Sequence, residues 1–247
     1  MRTTEFKRMA DHETAHWWYR AQRANLVDAV RSLPLAPGAR VLDAGCGTGR
    51  NLVELQRTLN VTTHGIDASA EAAASWNGDG RRCRASVNEL PYAGESFSVV
   101  ASVDLLQEAS VKPARAIREM ARVLRVGGFL VVLAPAYQWM LSRHDVAVDS
   151  VRRFTRRQLH DLALRAGLTV QRSTHRFATL FPLVASARML GKLGGTNGGA
   201  VRSDLRSYPR WVNGTLHAIA RTEHRIAGQH TIPFGSTILM IARKGAA

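Results

Sequence analysis

The sequence predicts an α/β fold built on a doubly wound, mostly parallel sheet, and three observations carry that expectation. Short apolar runs alternate with helical stretches from Ala39 to Ala134. One such run, Val41-Leu42-Asp43-Ala44, passes straight into a glycine-rich turn, Gly45-Cys46-Gly47-Thr48-Gly49, that opens a helix. Phe129 to Ala134 is a continuous apolar stretch of the kind buried on both faces of a parallel sheet.

The elements follow in order. Asp11 to Ser32 has helical periodicity, with Trp18, Ala21, Leu26, Ala29 and Val30 available for one face, and Pro34 and Pro37-Gly38 end it. Strand and helix then alternate: Ala39 to Ala44, Asn51 to Thr58, Thr62 to Ile66, Glu71 to Trp76, Arg82 to Ser86. A turn at Pro91 to Glu95 precedes a strand at Ser98 to Val103 and a helix at Lys112 to Leu124, which Gly127-Gly128 ends before the strand Phe129 to Ala134. Beyond Pro135 come a polar loop from Gln138 to Arg153, a helix from Thr155 to Ala166 and a strand near Leu168 to Arg172. Phe181 to Leu193 and Tyr208 to Ala227 are expected as helices, joined by a linker at Gly194 to Gly199, and Ser236 to Ala242 as a final strand.

This divides the chain into an N-terminal helical lid (1–38), a nucleoside-binding domain (39–176), a helical insertion or substrate cap (177–231) and a closing strand (232–247). A length of 247 residues suits one elaborated α/β domain, and 45% hydrophobic residues suffice for a full core. The N-terminus is too polar for a signal peptide and no run of about eighteen apolar residues occurs, so a soluble cytoplasmic protein is expected. Cys46 and Cys83 have neither disulfide nor metal-ligand spacing. His12 and His16 are spaced i, i+4, but no third ligand of suitable spacing accompanies them, and no metal is expected. The net charge of +15 comes almost entirely from arginine. It fits an anionic partner, and equally the arginine bias of a GC-rich genome, since the arginines are scattered.

The chemistry concentrates in the turn. A dinucleotide fingerprint is G-x-G-x-x-G, whereas this turn is D-x-G-x-G-x-G with Asp43 at the strand end, where a carboxylate would repel a pyrophosphate and attract a cation. The segment resembles the glycine-rich motif of class I S-adenosylmethionine-dependent methyltransferases. The resemblance implies that Asp43, Gly45, Cys46, Gly47 and Gly49 hold the methionine end of S-adenosyl-L-methionine. It also implies that Asp67, closing Gly65-Ile66-Asp67 with Ala68 beside it, takes both ribose hydroxyls. Arg84 to Tyr92 resembles the family's third-strand end, with Ser86 in place of the usual acid and the backbone of Val87 facing adenine; Phe97 to Glu108 resembles the fourth strand and its loop, placing Ser102 near the methionine amino group. Arg118 to Gly128 matches the family's E-x-x-R-V-L-k-p-G-G segment. The rest of the fold then follows from the family: a Rossmann-like sheet of seven strands, the last antiparallel between its neighbours.

Outside that domain the chain resembles the methyltransferase type 11 branch, through His16-Trp17-Trp18-Tyr19-Arg20, His144-Asp145, Arg152-Arg153-Phe154-Thr155 and Ile232-Pro233-Phe234-Gly235-Ser236. That likeness assigns Tyr19 and Arg20 to the cofactor side, with Ser150 where the branch commonly has histidine. Candidate catalytic residues are Glu108, in the loop facing the methyl group, and His144 with Asp145 in the loop after the fifth strand. Glu108 is also consistent with a solvated carboxylate near Lys112, and His144-Asp145 with a turn. Arg152-Arg153 and Arg156-Arg157 are either a phosphate clamp or a solvated helix start. The leading function is methylation of a small-molecule acceptor of metabolite, glycan or natural-product type, possible anionic character included. The alternatives are an RNA methyltransferase, though no RNA-binding module is evident, and a non-methylating S-adenosylmethionine-binding protein on the same fold.

Overall fold

The computed structural model describes residues 3–76, 81–142, 145–146, 148–193, 208–227 and 230–245. The linker expected at Gly194 to Gly199 lies outside them, as does His144. Helices α1 (Thr3–His12) and α2 (Trp17–Arg31) precede β1 (Ala39–Ala44), α3 (Arg50–Thr58), β2 (Val61–Asp67), α4 (Ala70–Ala74), β3 (Arg82–Arg84), β4 (Phe97–Val103), α5 (Pro113–Val123) and β5 (Leu124–Pro135). A 3₁₀ turn (Gln138–Met140), α6 (Arg156–Arg165), β6 (Leu168–Arg176), α7 (Phe181–Leu193), α8 (Arg210–Ala227) and β7 (Thr237–Lys244) complete the chain.

The seven strands form one sheet in the order β3-β2-β1-β4-β5-β7-β6. Neighbours are parallel from β3 through to β5, and β7 runs antiparallel to both β5 and β6. Alternation along the central strands divides the core. Leu42, Val100, Leu130 and Val132 point to the side covered by Ile117 and Met120 of α5 and Leu159 of α6. Val41, Val99, Val131 and Leu133 point to the side covered by Leu26 and Val30 of α2 and Leu55 of α3. Burial on both faces is why these strands read as unbroken apolar runs.

Two of the boundaries that differ from expectation have a clear physical cause. The single helix from Asp11 to Ser32 is two helices, because the turn at 13–15 breaks the ladder and His16 caps α2, its Nδ1 accepting the Trp18 N–H at 3.3 Å. Buried beside His12, His16 has its pKa lowered to about 4, so it serves as a neutral cap. The helix expected to run to Leu124 and end at Gly127-Gly128 stops at Val123, and the glycine pair lies within β5. Gly127 takes φ +77°, and a Cβ on Gly128 would lie 2.9 Å from the Arg125 carbonyl oxygen.

The carboxyl ends of β1 and β4 face the same edge, at the point where the strand order reverses, which is where open α/β sheets form their crevice. α8 packs along α2, with Asp28 of α2 receiving Arg221 at 3.1 Å and His224 at 2.9 Å. No helix among the described residues is long and apolar enough to cross a membrane.

Candidate active site

The turn after β1 is built by its own backbone. The N–H groups of Gly45 and Cys46 both donate to the Ile66 carbonyl at 2.8 Å, tying the turn to β2, and the Gly49 N–H closes onto the Cys46 carbonyl. Gly45 at φ +80° and Gly49 at φ +84° occupy the left-handed region that side chains avoid. A Cβ on Gly45 would stand 2.7 Å from Leu105 Cδ1, so that glycine also lets the next loop close in. Cys46 contributes backbone only: its side chain is turned inward, and burial pushes its thiol pKa up.

Asp67, at the end of β2, accepts the Gly47 N–H at 2.9 Å on Oδ2 and the Ser69 N–H at 2.9 Å on Oδ1. Each oxygen has a further lone-pair site, so the carboxylate organises the turn and can still receive hydroxyl donors. The Trp76 indole N–H holds the Gly47 carbonyl at 2.8 Å. From the N-terminal side, Glu13 accepts the Thr48 hydroxyl at 2.8 Å. Behind the turn, a Cβ on Gly65 would lie 2.7 Å from both Cys46 Sγ and Leu52 Cδ1. Gly65→Ala is therefore expected to cost about 1–3 kcal/mol through overpacking, measured as a lowered denaturant midpoint.

A cavity of about 1560 Å³ opens from this turn, larger than the roughly 300–1,000 Å³ usual for small-molecule sites. Of the sequence candidates, Gly45, Cys46, Gly47, Asp67, Ala68, Ser86, Val87 and Tyr19 line it, together with Glu108 and Asp145. Four do not. Asp43 is wholly buried beneath the turn, Ser102 is wholly buried in β4, Gly49 caps α3 from behind, and Arg20 is exposed outside the wall. The Asp43 carboxylate has no hydrogen bond of good geometry, although the Asn51 side chain is close enough to favour its ionised form. Burial dominates, and the Asp43 pKa rises to about 7.

Two loops form the opposite wall and are stitched together. Glu108 and Ser150 form a short antiparallel bridge, the Val151 N–H donates to the Gln107 carbonyl, and the Ala109 N–H to the Asp149 carbonyl. Arg152 Nη1 donates to the carbonyls of Leu106 at 3.2 Å, Glu108 at 3.1 Å and Val111 at 2.8 Å. Within this wall Glu108 is half-buried, and desolvation, reinforced by the charges of Asp67 and Asp149, raises its pKa to about 7. Asp104 follows β4 at φ +48° and accepts the Gln22 side-chain amide at 2.9 Å. Burial raises its pKa to about 6 against the opposing pull of Gln22 and Arg153.

Asp145, expected as a catalytic partner, is the centre of a buried ion cluster. It receives Arg153 at 2.6 Å and Arg188 of α7 at 3.0 Å, and accepts the Ser142 N–H and hydroxyl at 2.7 and 2.8 Å. Burial opposes its ionisation, but Arg153 and Arg188 outweigh it and hold the pKa below the usual carboxylate range. A carboxylate so engaged is a poor proton acceptor. Glu13, Gln22, Asp104, Arg153 and Arg188 all line the cavity without having been singled out as its residues from sequence. Asp104 had the one available signal, an acidic residue closing an apolar strand.

A model of the Methyltransferase domain family matches residues 42–132, the span from β1 to β5 that carries the turn and Asp67. Over that span the chain is similar to the class I S-adenosylmethionine-dependent methyltransferases. Over 123 residues the chain is 36% identical to 27-O-demethylrifamycin SV methyltransferase of Amycolatopsis mediterranei (strain S699), covering 42% of this chain and 43% of that protein. Over 114 residues it is 32% identical to "Probable tRNA methyltransferase 9B" of Homo sapiens, covering 44% of this chain and 23% of that protein. The matches thus span less than half the length of these relatives. The methyltransferase domain and its surroundings also share their fold with geranyl diphosphate C-methyltransferase from Streptomyces coelicolor A3(2), solved with Mg²⁺, geranyl diphosphate and S-adenosyl-L-homocysteine. That likeness has a TM-score of 0.60 at 16% identity, over 90% of this chain and 80% of the other.

Proposed function

We propose that the protein transfers a methyl group from S-adenosyl-L-methionine to a small-molecule acceptor. The observation that carries this reading is one cavity joining the glycine turn and Asp67 to the Glu108 wall, with volume for two ligands side by side. The cofactor supplies an electrophilic methyl on a sulfonium. Asp67 takes the ribose hydroxyls, the backbone of Gly45 to Gly47 lies against the methionine end, and Ser86 with the Val87 N–H receives adenine. Asp43, from beneath the turn, and Asp104, from the wall, favour the cationic ligand electrostatically. Tyr19 closes the cofactor side, the described residues of the 177–231 stretch form the substrate cap, and Glu108 accepts the proton that the acceptor loses. Asp145 positions the cap by holding Arg188 of α7 to the loop.

Calorimetry with S-adenosylmethionine and S-adenosylhomocysteine tests the premise, since failure to bind either would remove it. Asp67→Ala is expected to weaken cofactor binding about 10- to 100-fold, the worth of a hydrogen bond to a charged group. Unchanged affinity would refute the ribose assignment. A second reading, methylation of RNA, draws on the net charge of +15 and the likeness to the human tRNA relative. RNA retention that weakens steeply with salt, together with methyl incorporation into RNA, would favour it.

A further inference from the structure

We propose that a second cleft, between the start of α6 and the edge strand β6, binds the phosphate group of a small phosphorylated ligand. The cleft is about 450 Å³, within the range of small-ligand sites, and shares no lining residue with the cofactor cavity. Arg156, Arg157 and His160 of α6 face Ser173 and His175 of β6 across it, and no acidic residue among the described residues lines it.

The four arginines of the 152–157 segment divide into two pairs. Arg152 is engaged with three carbonyls and Arg153 with buried Asp145, so both belong to the cavity wall. The other pair is open. Arg156 uses Nε on the Ser173 hydroxyl at 3.2 Å, leaving its Nη atoms for a ligand. No ion pair among the described residues engages Arg156, Arg157 or His160. Two guanidinium forks and an imidazole converging with hydroxyls suit a tetrahedral dianion, which accepts bidentate hydrogen bonds.

Tyr137 points to a ligand rather than to a merely basic surface. Its backbone is held at φ +63°, a conformation costly for an aromatic residue, by its N–H bond to the Phe154 carbonyl and by stacking on His175 at 5.4 Å and 13° between ring planes. Together with Pro233 it gives the cleft a rigid apolar wall beside the cations, against which the organic part of a phosphate ester can lie.

Calorimetric titration of the full chain with inorganic pyrophosphate at low ionic strength is expected to give saturable one-to-one binding. Arg157→Gln, at an exposed residue with no ion pair among the described residues, and Arg156→Lys, which keeps the charge but removes the fork, should each weaken binding about tenfold or more. The melting temperature and the affinity for S-adenosylmethionine should not change. Absence of pyrophosphate binding, or binding indifferent to both variants, overturns the proposal. It is equally overturned if a single-stranded RNA oligonucleotide binds, and loses affinity in the variants, while pyrophosphate does not bind. Cofactor binding by the same preparation reports separately on the methyltransferase reading.

Discussion

Glu108→Gln is expected to lower kcat about 10²- to 10⁴-fold, the usual contribution of a positioned general base, while leaving the affinity for S-adenosylmethionine within a factor of a few. The glutamine is isosteric and keeps the loop: the main-chain bridge to Ser150 and the Arg152 contact with the residue-108 carbonyl involve no carboxylate atom. The pH dependence supplies the sharper check. A base must be deprotonated to act, and burial raises the Glu108 pKa to about 7. The wild-type rate should therefore fall about tenfold per pH unit below that value and level off above it, as for any single essential base. The variant should lack that limb. A glutamine variant that kept both its rate and its acid limb would show that the proton leaves by another route.

Asp145→Ala is expected to destabilise the fold by about 3–5 kcal/mol, because removing one member of a buried ion cluster strands the charges that remain. Arg153 and Arg188 have side chains only 7% and 18% exposed, and both would lose their carboxylate. For a chain of this size the melting temperature should drop by about 6–20 °C. Combining the change with Arg153→Met, which removes one stranded cation, should recover part of the loss. If Asp145 were a catalytic base, the single variant would lose activity at full stability and the pairing would recover nothing.

Much of the fold was legible because it rests on local pattern. Alternating periodicity marked the strands and helices from Ala39 to Ala134, and the spacing of Asp43, Gly45, Gly47, Gly49 and Asp67 marked the turn. The errors fell where distant residues decide. The break at 13–15 is invisible as periodicity, and it places Glu13 against Thr48, thirty-five positions on. Asp145 and Glu108 look alike as loop carboxylates, and what separates them is whether arginines from elsewhere reach them.

The sequence by itself determined the α/β class, the glycine-rich turn and the acidic residue beside it, because adjacent residues and short spacings carry those features. Only the tertiary structure decided that Asp43 lies beneath the turn, that Asp104 and Glu108 line the wall, and that Arg152 and Arg153 are engaged within it while Arg156 and Arg157 have no ion pair among the described residues. The physical reason is that burial and charge pairing are properties of surroundings assembled from loops far apart in the chain. A carboxylate or a guanidinium has no fixed role until those surroundings set its solvation and its partners.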